Sequence, residues 1–253
     1  MNEKTAQFSL RGLFQPRDLT EGTPWKTILA FALPIIISYL LQQVYTISDA
    51  AIVGQTLTAG EVAGVNDTTS IIFIFLQFAF GVSAGFCVVT AAEVGAHHEA
   101  GVRRSLAAQI LLSAALTVLL TGLALLLLKP MLAWINVTPE SPEVYRAAHT
   151  YCAIIFAGIG AQLFYNFVCS FLRSMGDSAT PLAFLLFSTV LNVGLDLLFI
   201  LAFHWGVAGA AFATVTAQLL STVGCFLYAF RRYPQLRLTK ADWRFPRHEL
   251  TRH

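Results

Sequence analysis

Charge is what this sequence has least of. Only 12% of its 253 residues are Asp, Glu, Lys or Arg, while 56% are hydrophobic and the mean hydropathy is +0.66. A soluble domain carries about 25% charged residues. That shortage leaves too little polar surface to cover a water-soluble globule of this size, and the class is integral membrane protein. Cysteine is scarce as well. Cys87, Cys152, Cys169 and Cys225 all fall inside apolar runs, none has CxxC spacing, and they read as small packing residues. Histidine is confined to loops, tails and the ends of the apolar runs (His97, His98, His149, His204, His248 and His253). No nucleophile therefore has an obvious base beside it within the runs, which disfavours a membrane-embedded enzyme.

What is present is six long apolar runs: Trp25–Val53, Val62–Val89, Leu106–Leu128, Val144–Leu172, Leu182–Phe203 and Val207–Phe230. Each reaches the roughly 20 residues needed to cross about 30 Å of hydrocarbon. Backbone groups in lipid must be paired within their own segment, so the runs are expected to be helices. The predicted fold is all-α, with six transmembrane helices over 25–230. A polar segment, 1–24, precedes them, and a basic tail or linker, 231–253, follows.

The cationic residues divide unevenly. Lys4, Arg11, Arg17 and Lys26 precede or open the first run. Arg103 and Arg104 lie between the second and third, Arg173 between the fourth and fifth, and seven more follow the sixth, from Arg231 to Arg252. Only Lys129 and Arg146 fall on the other side. The positive-inside rule then puts both termini in the cytoplasm.

Two motifs are decoys. "GVSAG" (Gly81–Gly85) matches the serine-hydrolase pattern, but that motif needs a strand and a sharp turn before its helix. Inside an apolar helix it reads as GxxxG, a face that admits a second helix. "HHEA" (His97–Ala100) is not a metal motif and reads as a solvated loop.

Three carboxylates fall within the apolar runs: Asp67 near the start of the second, and Asp49 and Asp196. A charge at mid-bilayer costs about 2.5–3.5 kcal/mol on insertion scales. No lysine or arginine lies inside the runs away from their ends, so an ion pair is not the expected solution. Protonation, a bound inorganic cation or a wet cavity remain. Asn192 and Asp196 share one face of the fifth helix at i, i+4 spacing, with Ser188 and Thr189 a turn earlier. Helix lengths place Asp49, Asn192, Asp196, Thr214 and Gln218 in the same outer half of the membrane.

"LRSMGDSATP" (Leu172–Pro181) resembles the loop between the fourth and fifth helices of the multidrug and toxic compound extrusion (MATE) family, which reads R-x-x-G-D-x-x-x-P. "ALPIIISYLLQQVYTISDAAIVGQ" (Ala32–Gln55) is similar to that family's first helix. "GVAGAAFATV" (Gly206–Val215) is similar to the start of its sixth, and "EVGAHHEAGVRR" fits the end of its second. The resemblance covers nearly all of the chain but half of the family's twelve-helix pattern, so it implies an amino-terminal lobe. Its partner would be a carboxy-terminal lobe or a second copy of the chain in a homodimer.

The resemblance implies secondary active efflux of small organic, often cationic, compounds across the plasma (inner) membrane of a bacterium, in exchange for H⁺ or Na⁺. It implies no cofactor beyond that coupling ion and no nucleic-acid partner. It assigns the ion site to Asp49, Asn192, Asp196 and Thr214, with Na⁺ at the first three if sodium is the ion. Gln43, Asn66, Asp67 and Gln218 are candidate cavity-lining residues. The sequence departs from the family at Thr46, where asparagine is common, and at the polar Asn66-Asp67, so substrate and ion preference do not carry over. The alternatives are export of a lipid-linked oligosaccharide or polysaccharide, which calls for cationic cavity residues where this chain has none clearly inside its spans, and a non-transporting half-length fragment.

Overall fold

The computed structural model describes residues 23–233 and residue 238. The predicted segments 1–24 and 231–253 lie outside these residues except at their inner edges. The described chain is a helical bundle: α1 (Pro24–Thr56), α2 (Ala59–Gly95), α3 (Glu99–Trp134), α4 (Pro142–Ala157), α5 (Ile159–Ser174), α6 (Ala179–Asp196), a π-helical segment (Leu197–Ala202) and α7 (Gly206–Arg232). Every predicted run is helical, and most extend past their apolar boundaries. The fourth is broken: α4 and α5 meet at Gly158 with a 46° bend and together are long and apolar enough for one span. The fifth changes from α to π winding immediately after Asp196. Counting α4–α5 as one, six spans among the described residues are long and apolar enough to cross a bilayer.

The outer surface is apolar, as lipid requires. Leu126 is 81% exposed, Val118 75% and Val190 67%. Trp134 and Trp205 stand exposed at helix ends, the usual level of an aromatic belt. Trp205 stacks on Phe199 with ring centroids 5.0 Å apart.

Inside the bundle, α2 packs along α4 and α5 through a stripe of small and polar residues. Gly64, Thr68, Ala79, Ser83, Cys87 and Thr90 recur on one face and are all buried. At Gly64 the helices nearly touch: a Cβ there would lie 2.6 Å from the Val144 carbonyl. The predicted close approach at Gly81 and Gly85 is not where the packing falls, because both glycines face open space. They sit two residues off the stripe, roughly the opposite side of a helix. Ser83, between them, is buried and donates to the Ala79 carbonyl at 2.8 Å.

Towards its end, α2 is tied to α3 by a side chain that sequence patterning does not single out. Gln109 is fully buried; its amide nitrogen donates to the Phe86 carbonyl (2.8 Å) and reaches Ser105 Oγ at 3.1 Å, with Thr90 alongside. Cys87 donates to the Gln109 carbonyl oxygen at 3.4 Å, a polar role beyond simple packing.

The Arg173–Pro181 loop folds as a reverse turn. Gly176 adopts φ +80°, a left-handed conformation that a side chain would strain. Asp177 then caps α6: its carboxylate accepts from Thr180 N at 2.9 Å and Thr180 Oγ1 at 2.7 Å, and Tyr233 beyond α7 donates to it at 3.4 Å. Burial and the Asp177 charge push the Tyr233 phenol above its ordinary value.

The first helix stands at the edge and leans chiefly on α6. It runs unbroken through Pro34, whose carbonyl accepts from Ser38 Oγ at 2.8 Å. Its buried residues are few: Ala30, Pro34, Ser38 and Val53.

Candidate cation site

Asp49 on α1 and Asp196 at the last α-helical position of α6 are immediate neighbours across the contact between those helices. Asp196 is fully buried and Asp49 partly so. Both carboxyl oxygens of Asp196 and Oδ1 of Asp49 are shut off from solvent without a hydrogen-bond partner. Two carboxylates cannot satisfy each other, since an ionised carboxylate only accepts. The pair is complete only when a proton or a cation stands between them.

One turn before Asp196, Asn192 is also fully buried, with both amide atoms unpartnered. Ser188 extends the stripe and likewise has a buried, unpaired hydroxyl. Thr214 Oγ1 and Gln218 Oε1 on α7 are in the same condition. Unpaired polar atoms are rare in native interiors, and so many on adjoining faces of α1, α6 and α7 mark a place built for something besides protein.

Asp49, Thr214 and Gln218 line one cavity of about 190 Å³. Tyr45 and Thr46 on α1, Tyr151 on α4 and Gln162 on α5 complete its polar wall. Tyr45 lies against Asp49 and Thr214, and Tyr151 feels both carboxylates. Asn192 and Asp196 are absent from the cavity wall, sealed behind Asp49. The candidate ligand oxygens thus form two layers: Asp49 in the cavity wall and the Asn192–Asp196 face of α6 outside it. The π turn starts at this inner layer, and such turns occur often at functional sites.

Of the residues predicted from sequence, the structure brings Asp49, Asp196, Thr214 and Gln218 into one neighbourhood, with Asn192 on the same helix face as Asp196. It does not bring Gln43, Asn66 or Asp67 there. All three are exposed and outside the cavity wall. Tyr45, Tyr151 and Gln162 were not predicted, because a tyrosine or amide in an apolar run gives no signal as loud as a lone carboxylate.

A family-wide sequence profile described as MatE matches residues 34–198, well over half of the chain. The chain belongs to the MatE family. Among curated MatE relatives, the probable multidrug resistance protein YpnP of Bacillus subtilis (strain 168) is 32% identical over 83% of this chain and 46% of its own length. YoeA of the same strain, also described as a probable multidrug resistance protein, is 26% identical over 87% of this chain and 48% of its own length. A solved structure described as the outward-facing conformation of a multidrug resistance MATE family transporter superposes with a TM-score of 0.83 at 24% identity, covering 91% of this chain and 51% of that one. That likeness shows the fold. The chain spans about half the length of the curated relatives it matches. With its six apolar spans, this MatE chain is a multi-pass integral membrane protein of the plasma membrane.

Proposed function

We propose that this chain is one lobe of a cation-coupled efflux transporter, and that Asp49 and Asp196 carry the coupling ion, H⁺ or Na⁺. Asn192 and Thr214 complete the ion's oxygen shell, and Tyr45 and Tyr151 border it. The observation that carries this reading is the adjacent carboxylate pair, buried without a donor, beside a cavity with no lysine or arginine in its wall. Such a site has no internal counter-charge, so its occupancy follows the proton or sodium activity of the compartment it opens to. The names of the curated relatives, probable multidrug resistance proteins, support drug extrusion as the work driven by that ion.

In this reading the termini face the cytoplasm, on the distribution of lysine and arginine, and the substrate is a small organic, often cationic, compound. It passes between this lobe and a second one. Ion binding at Asp49 draws α1 against α6, and ion release frees it. A helix held mainly by one neighbour is suited to that movement.

The test is efflux from membrane vesicles carrying the assembled transporter, with a fluorescent organic cation as substrate and an imposed proton or sodium gradient. Substrate movement should dissipate the gradient, and Asp196→Asn should uncouple the two. Unchanged coupling in Asp196→Asn would remove the assignment.

A further inference from the structure

A second cavity, of about 50 Å³, lies between α1, α2, α5 and α6 and is lined by the opposite chemistry. Its polar wall is Ser38 and Gln42 from α1 with Tyr165, Asn166, Cys169 and Arg173 from α5. No carboxylate lines it. Arg173 Nε is closed off from solvent and has no hydrogen-bond partner, and among the described residues no Asp or Glu sits within ion-pair distance of its guanidinium. The nearest acid along the chain, Asp177, is fully engaged by Thr180 and Tyr233. Asn166 has its oxygen turned to the Gln162 amide at 3.5 Å, which leaves its own NH₂ to donate.

We propose that this pocket binds a phosphate oxyanion, supplied by a lipid headgroup or by the free ion, with Arg173 as its principal ligand. A half-buried guanidinium with an orphaned N–H needs an acceptor, and planar forked donors fit phosphate oxygens. A water needs about 10–15 Å³ by the same measure, so the cavity has room for several oxygen atoms. Its depth suits a headgroup: Leu185, in the wall, is only about 9 Å along α6 from its start, near the end of the bundle. Its surroundings suit the acyl chains: Ile36, Ile37, Leu40 and Val44 of α1 are all exposed and apolar. The bound phosphate links α1 to α5, and its α1 ligand Gln42 lies about 10 Å along the helix from Asp49. It is separate from the cation site, and Asp196→Asn is expected to leave it intact.

The experiment is thermal unfolding and native mass spectrometry of the purified chain in detergent. Three additions are compared at matched ionic strength: inorganic phosphate, short-chain phosphatidylglycerol, and a glucosyl diacylglycerol of the same acyl length that carries no phosphate. Stabilisation by phosphatidylglycerol but not by the glycolipid, with one retained phospholipid per chain, assigns the lipid source. Stabilisation by inorganic phosphate alone assigns the free ion. In either case Arg173→Gln should weaken binding about ten- to a hundredfold, the usual effect of losing a hydrogen bond to a charged group. If Arg173→Gln does not fold, Asn166→Asp serves instead, since it sets a carboxylate in the pocket and should abolish binding. No response to either phosphate source, or equal responses in wild type and in a folded variant, overturns the proposal.

Discussion

Asp49 and Asp196 come from helices that are adjacent in space but far apart in sequence, and they face each other with no donor between them. Two acceptor-only groups in apolar surroundings repel, and each lacks the hydrogen bond that burial demands. A proton or a cation between them would relieve both costs. On the proposed function, stability and activity are therefore opposed at this pair.

Asp196→Asn should therefore stabilise the ion-free protein while removing its ion response. The new amide donates to Asp49 and ends the repulsion, a gain of about 1–3 kcal/mol, the ordinary cost of an unsatisfied buried group. Thermal unfolding in detergent without added sodium, at alkaline pH where the wild-type pair is deprotonated, should show a higher midpoint than wild type. A lower midpoint in a correctly folded variant would mean that the two carboxylates are already satisfied by protein.

Tyr45→Phe should keep the fold and weaken the ion site. The Tyr45 hydroxyl is buried without a partner between Asp49 and Thr214, so its loss costs the empty protein little. Binding by calorimetry should weaken about tenfold, the low end for a hydrogen bond to a charged group. An unchanged affinity would place Tyr45 outside the ion's surroundings.

Gly64→Val should destabilise the contact of α2 with α4. The added side chain meets the Val144 carbonyl and the Ala147 methyl, both held in helix backbone positions. Overpacking of this kind costs about 1–3 kcal/mol. Gly81→Ala, whose added methyl meets nothing within 4 Å, should leave the unfolding midpoint near wild type.

Asp177→Ala should cost about 0.5–2 kcal/mol, the range for losing a helix cap, and should loosen the end of α7 through Tyr233. Limited proteolysis after Arg232 is the readout. Faster cleavage is expected, and an unchanged rate would show that the Tyr233 contact does not hold the segment.

The spans were legible in the sequence because lipid leaves a helix as the only way to pair the backbone. Asp49, Asn192 and Asp196 were legible because charge and amide stand out in an apolar run. What stayed hidden depends on which face of a helix meets which neighbour. Tyr45 and Tyr151 drew no reading from sequence, and only the fold sets them beside the carboxylates. The 46° break at Gly158 looks in sequence like any glycine within a span, and the π turn after Asp196 has no proline or glycine to announce it. The GxxxG at Gly81 and Gly85 misled for the same reason, because spacing locates a face but not the helix that covers it. Arg173 reads as a topology marker at a helix end, and only the cavity beside it shows an unpaired donor.

The most direct measurement is infrared difference spectroscopy of the carboxyl C=O stretch, on the purified chain in lipid nanodiscs, as pH is raised and as sodium is added. A protonated-carboxyl band should be present at low pH and lost saturably on deprotonation or sodium binding, and Asp49→Asn and Asp196→Asn should each abolish that change. A difference spectrum identical in wild type and both variants would contradict the assignment of the coupling ion to this pair.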